Sequence, residues 1–115
     1  MLKIVLPYPP SVNHYLRHSG HSVYRTKEAN DYREIVAWIL HDMEIDPLQG
    51  ALIVTITAYR PRKAGDIDGI LKVSLDAMNK LAYEDDKQII ELHVYRRDDK
   101  HNPRLEVAIH EEKTW

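Results

Sequence analysis

Apolar side chains alternate at the start of the chain, with Leu2, Ile4 and Leu6 on one side, and predict a strand over residues 1–7. Three prolines between Pro7 and Asn13 rule out both helix and regular ladder, so this segment is expected to be extended and fixed in shape. Residues 14–24 have no period and read as a loop. After Thr26, which suits an N-cap, Ala29, Tyr32, Ile35, Val36, Ile39, Leu40 and Met43 recur at steps of three and four. They predict an amphipathic helix over Lys27 to Met43, with Arg33 and His41 facing solvent. Asp46 to Gly50 reads as a turn. From Ala51 to Tyr59 both alternating sets are largely apolar, as in a central strand covered on one face and partly on the other. A second helix follows from Ile67 to Leu81, its apolar stripe made by Ile67, Ile70, Leu71, Leu75 and Met78. Two alternating strands, Gln88 to Arg96 and Arg104 to His110, point Ile90, Leu92, Val94, Leu105, Val107 and Ile109 inward. A polar hairpin loop, Arg97 to Pro103, joins them, and Glu111 to Trp115 reads as a frayed tail. The order β-α-β-α-β-β predicts an α+β fold of two layers, with two helices on one face of a mixed four-stranded sheet.

Composition narrows the class. A chain of 115 residues reads as a single domain over 1–115, with a core large enough to need no staples. No apolar run approaches the ~20 residues of a membrane span, and the first residues are too short and too alternating for a signal peptide. The absence of cysteine excludes disulfides and thiolate zinc sites and fits the cytoplasm. A net charge of −2 neither favours nor excludes a polyanionic partner, so the distribution of charge decides.

That distribution is uneven around the second helix. Asp66, Asp68, Lys72 and Asp76 lie where a loop becomes a helix, the last three spaced i, i+4, i+8 along one side of it. A second acidic cluster, Glu84-Asp85-Asp86, follows the helix. If the clusters meet, carboxylates without cysteine or a histidine pair suit a hard cation with oxygen ligands, Mg²⁺ above all. Asp66, Asp68 and one of Asp85 or Asp86 meet that need, with Lys72 placed to neutralise charge on a phosphoryl group. Each feature also has a plainer reading: a helix cap, an exposed i, i+4 ion pair worth a few tenths of a kcal/mol, an ordinary turn. Their conjunction with the basic loop Arg60-Pro61-Arg62-Lys63 favours a site. Arg17, His18, His21 and Arg25, interleaved with Tyr15 and Tyr24, suit contacts to phosphates and unstacked bases, or an ordinary solvated loop.

These motifs resemble the RusA family of Holliday junction resolvases, small endonucleases common in prophages. The likeness runs along nearly the whole chain: Leu6-Pro7-Tyr8-Pro9-Pro10-Ser11-Val12-Asn13-His14-Tyr15, then Ala29-Asn30-Asp31-Tyr32-Arg33. Most specific are Gly65-Asp66-Ile67-Asp68 with Lys72 and Asp76, and Glu84-Asp85-Asp86-Lys87-Gln88 leading into a strand. The resemblance implies a Mg²⁺- or Mn²⁺-dependent nuclease that cuts four-way junction DNA by paired symmetric nicks in recombination and repair. It implies metal ligands at Asp66, Asp68 and Asp86, with Asp85 the alternative third ligand, catalytic assistance from Lys72, and a homodimer suited to two symmetric cuts. Phosphate contacts are expected from Arg17, Arg25, Arg60, Arg62 and Lys63, with Arg96 and Arg97 behind them. One departure is Gly69, where the family commonly has asparagine. The competing readings are a junction-binding protein without cleavage activity, and an enzyme acting on small phosphorylated substrates with the same carboxylates.

Overall fold

The sheet is built on Ala51–Arg60 (β4), whose Leu52, Val54, Ile56 and Ala58 are fully buried, as β-branched and small apolar residues on a central strand should be. A computed structural model describes residues 1–10, 16–19, 22–63 and 67–112; the side chains of residues 16–19, 22–24 and 68 also lie outside the description. On one side β4 pairs in parallel with Ile89–Asp98 (β5), and on the other it pairs antiparallel with Arg104–Glu112 (β6). Leu2–Pro7 (β1) adds to β6 antiparallel, with Ile4 opposite Val107 and Leu6 opposite Leu105. The spatial order is β1-β6-β4-β5, a mixed four-stranded sheet, and the α+β class is as the sequence predicts.

Two helices cover one face. The first, Lys27–Asp42 (α1), starts where Thr26 Oγ1 accepts from the Ala29 N–H at 3.2 Å, and Met43 caps its end. It buries Ala29, Tyr32, Val36 and Leu40, and the Tyr32 hydroxyl donates to the Pro7 carbonyl at 2.8 Å, tying α1 to the end of β1. The second, Ile67–Met78 (α2), is the crossover between the parallel strands β4 and β5. It buries Ile70, Val73, Ala77 and Met78, so its inward stripe is turned from the expected one; Leu71 and Leu75 are only half-buried. The buried Ser74 fits because its hydroxyl donates back to the Ile70 carbonyl at 2.7 Å.

Several expectations need correction. The segment read as a loop over 14–24 carries a two-stranded antiparallel hairpin, Leu16–Ser19 (β2) and Ser22–Arg25 (β3); its strands are too short to show a period. The second helix stops at Met78 rather than Leu81, because Lys80 takes φ 72° and the N–H groups of Leu81 and Ala82 both close on the Met78 carbonyl. The link after β5 is no hairpin: β4 lies between β5 and β6, and the link passes the end of β4, where the Asp99 N–H donates to the Arg60 carbonyl at 2.9 Å. Ile90 and Leu92 are exposed: Leu92 lies beside the buried Val54 on the same face, but β5 is the edge strand and leaves it uncovered. Glu111 and Glu112 belong to β6 and pair with Leu52 and Ala51, so the expected tail shrinks to residues 113–115, which lie outside the described residues.

Candidate active site

Every described member of the site sits on α2 or on the segment that returns from it to β5. Asp68 lies in the first turn of α2, Lys72 one turn later and exposed, and Asp76 one turn later again. Asp66 and the Asp68 side chain lie outside the described residues, as do Gly65 and Ala64.

The acidic segment is held more tightly than its composition foretells. Asp86–Gln88 form one turn of 3₁₀ helix with Asp85 as N-cap, whose side chain accepts from the Lys87 N–H at 3.0 Å. Gln88 completes a capping box: its Oε1 accepts from the Asp85 N–H at 2.8 Å. The same carboxamide donates through Nε2 to the carbonyls of Leu48 and Gly50, each at 2.9 Å. Gly50 itself sits at φ 77°, a backbone region that disfavours side chains. Gln49 adds a hydrogen bond to Glu84 at 3.0 Å. Below this segment Tyr83 is fully buried and donates from its hydroxyl to the Leu75 carbonyl at 2.8 Å, docking the segment beside the C-terminal half of α2.

Electrostatics separate the two aspartates. The Lys87 N–H bound to its carboxylate holds Asp85 below the usual carboxylate range. Desolvation, then the hydrogen bond and charge of Asp85 and the charge of Asp76, push the Asp86 carboxyl up. Burial first, then the charges of Asp86, Asp76 and Asp85, raise the Tyr83 phenol and keep it protonated. Asp86 is therefore an exposed carboxylate crowded by like charge, the electrostatic setting that a divalent cation relieves, while Asp85 is occupied as a cap. Asp76 belongs to the same neighbourhood but has cationic partners: Arg25 Nε lies 3.2 Å and Arg33 Nη1 3.0 Å from its Oδ2.

The structure thus brings Asp76, Asp85, Asp86 and Tyr83 together. Asp68 stands two helical turns from Asp76, about 12 Å along the axis at 1.5 Å per residue. Among the described residues no three His, Asp or Glu side chains form a metal cluster.

The basic residues divide in two. Arg25 is bound to Asp76, and Arg60 is paired with Asp98, whose carboxyl that hydrogen bond lowers. Arg62 and Lys63 stand exposed in the loop after β4. Arg17 lies on β2 opposite Tyr24, its side chain outside the described residues. Arg33, expected in solvent, is instead half-buried against Asp76, whereas His41 is exposed as expected. Sequence reading also missed the roles of Gln88 and Tyr83. The D-x-x-Q spacing of Asp85 and Gln88 is a capping-box signature, and Arg33 lies one turn from both Ala29 and Val36, at the margin of the buried stripe.

Comparison with known proteins agrees with this geometry. Residues 7–110 match the family model described as Endodeoxyribonuclease RusA. A crossover junction endodeoxyribonuclease of Enterobacteria phage 82 is 33% identical over 111 residues, covering 94% of this chain and 92% of that protein. One from Escherichia coli strain K12 is 32% identical over the same shares. Another, from Enterobacteria phage HK97, is 34% identical over 97 residues, 82% of this chain and 81% of the relative. A match across nine-tenths of the length makes this chain a member of the RusA endodeoxyribonuclease family.

Proposed function

We propose that this chain is a single RusA-like endonuclease domain that cuts four-way junction DNA by paired nicks, acting as a homodimer on cytoplasmic DNA in recombination and repair. Family membership over almost the whole chain carries this reading. The Asp86 carboxylate beside α2, raised by desolvation and by its Asp85 and Asp76 neighbours, supports it from the structure, because perturbed carboxyls cluster at functional sites.

The donor set fits a hard divalent cation, Mg²⁺ or in its place Mn²⁺: oxygen ligands, no cysteine, and a carboxylate already surrounded by negative charge. Asp66, Asp68 and Asp86 are the residues that would hold it, and when bound it would supply Lewis acidity at a phosphodiester and ease formation of the attacking hydroxide. The chain's own groups do the rest. Lys72, exposed between Asp68 and Asp76, offers a positive charge to the scissile phosphate where charge builds on its oxygens. Arg62 and Lys63 attract the backbone next to the start of α2. Arg17 is a further phosphate contact, and Arg25 and Arg60 reach DNA only by sharing or leaving their carboxylate partners.

The test is a labelled four-way junction incubated with purified chain at several Mg²⁺ concentrations and without metal. Paired symmetric nicks near the crossover that require metal are expected. Binding without nicks at every concentration would transfer the assignment to a junction-binding protein. Asp68→Asn should abolish nicking while binding stays intact or tightens; normal nicking by that variant refutes the site.

A further inference from the structure

We propose that Asp76 is a positioning residue: it fixes α2 against α1 and the β2–β3 hairpin through two arginines, and it is not a metal ligand. This rests on the nuclease reading above and adds a role that helical spacing alone conceals. By spacing, Asp76 is the equal of Asp68, on the same side of the same helix two turns on.

Its surroundings say otherwise. Asp76 Oδ2 accepts from Arg25 Nε at 3.2 Å, and Oδ1 accepts from Arg25 Nη2 at 3.3 Å, the two-point grip of a guanidinium on a carboxylate. Arg33 Nη1 donates to Oδ2 at 3.0 Å and to the Asp76 backbone carbonyl at 2.7 Å. The second of these matters most. An arginine that binds a side chain and the carbonyl of the same residue fixes that turn of α2 in rotation as well as in height. Arg33 is on α1, Arg25 ends β3 and Asp76 is near the end of α2, so three elements meet at one carboxylate. A single half-exposed ion pair contributes little, but a network of one bidentate arginine and a second that shares one Nη1 between carboxylate and carbonyl is the case where geometry counts.

The contrast with Asp86 is sharp. Asp86 has the carboxylates of Asp85 and Asp76 for neighbours. Asp76 has two guanidinium groups on its oxygens, and a metal ion would have to displace them against charge repulsion. The same helix side carries Lys72 one turn before Asp76, so fixing this turn of α2 also fixes the backbone from which Lys72 extends.

The experiment uses the full chain with Asp76→Asn, Asp76→Glu and Arg33→Lys, and Asp68→Asn as the inactive control. Three quantities are read: the single-turnover nicking rate on a four-way junction at saturating protein across a Mg²⁺ titration, junction affinity in Ca²⁺, and Mn²⁺ binding without DNA by electron paramagnetic resonance of the free ion. Asp76→Asn should nick at least tenfold more slowly, and Asp76→Glu should recover to within threefold of the parent. Arg33→Lys should also slow nicking severalfold although no carboxylate is touched. Half-saturating Mg²⁺ and Mn²⁺ affinity should stay within twofold, and junction affinity within threefold. A tenfold loss of Mn²⁺ affinity in Asp76→Asn makes Asp76 a ligand and overturns the proposal, as do parental rates in both Asp76→Asn and Arg33→Lys. If Asp76→Asn does not fold, Arg33→Lys and Asp76→Glu decide by the same criteria. If the parent chain nicks no junction, the nuclease reading falls, and Mn²⁺ binding still decides whether Asp76 is a ligand.

Discussion

Gln88 holds the acidic segment in place, and replacing it should destabilise the fold by an amount its hydrogen bonds set. Its carboxamide accepts from the Asp85 N–H and donates to the carbonyls of Leu48 and Gly50. A neutral hydrogen bond contributes about 0.5–1.5 kcal/mol net, and the bond to Gly50 lies in an exposed setting, so Gln88→Ala should cost about 2 kcal/mol. Gln88→Glu is the more telling change. It keeps an acceptor for the Asp85 N–H but aims a carboxylate oxygen at two carbonyls where an NH₂ group stood. At neutral pH it should therefore be less stable than Gln88→Ala. Only the protonated acid can donate to those carbonyls, so the new carboxyl has a folded pKa above its unfolded value. Its stabilising contribution is then present below the unfolded value, about 4.3, and is lost as pH rises through the folded one. Urea unfolding at pH 4 and pH 7.5 measures this: the deficit of Gln88→Glu relative to Gln88→Ala should be largest at pH 7.5 and shrink or reverse at pH 4. A Gln88→Glu protein as stable as Gln88→Ala at pH 7.5, or a difference flat in pH, refutes the three-bond arrangement.

Other consequences follow from the same geometry. Because desolvation, and after it the neighbouring carboxylates, raise the Asp86 carboxyl, its charge opposes folding above its folded pKa, so Asp86→Asn should melt higher than the parent at neutral pH without metal. That gain should vanish in acid, where the parent's carboxyl is already protonated, and nicking should be lost at every pH. Tyr83→Phe removes a buried hydroxyl and leaves the Leu75 carbonyl without it, costing about 1–2 kcal/mol in denaturant unfolding. Ultraviolet titration of the folded parent should show no tyrosinate from Tyr83 in the range where exposed tyrosines ionise. Replacing both Arg62 and Lys63 by alanine should weaken junction binding and make the slope of log affinity against log salt shallower by about 2, one unit per lost phosphate contact. An unchanged slope would place the DNA elsewhere.

How legible the fold was depended on whether each segment's partner could be read from its own pattern. The helix over 27–42 and the strand over 51–60 carry full periods and a cap, and local sequence fixes such elements. The inward face of β6 was legible as well, since Leu105, Val107 and Ile109 are buried, but its expected pairing with β5 gave way to β1 and β4. β5 shows the limit. Its alternation is as regular as that of β6, yet Ile90 and Leu92 are exposed, because edge position is a property of the sheet order and of which strands the helices overlie. No window of sequence contains that order. The hairpin over 16–25 was missed for the opposite reason: two four-residue strands are too short for periodicity to speak.

The site divides along the same line. Charge and spacing single out Asp66, Asp68, Lys72 and one of Asp85 or Asp86, because a cation site must be dense in carboxylates and that density shows in the chain. The partners that decide what each carboxylate does are remote: Arg25 and Arg33 lie 51 and 43 residues before Asp76, and Gln88 reaches back 38 and 40 residues to Gly50 and Leu48. Asp76 and Asp86 are consequently alike in sequence and opposite in environment, one gripped by two guanidinium groups and one crowded by like charge. A carboxylate's role in such a site follows from the sign of the charge brought to it by distant segments. On the reading proposed above, the carboxylate raised by like-charged neighbours is where a cation would gain most, and the one gripped by arginines is where the scaffold would be fastened.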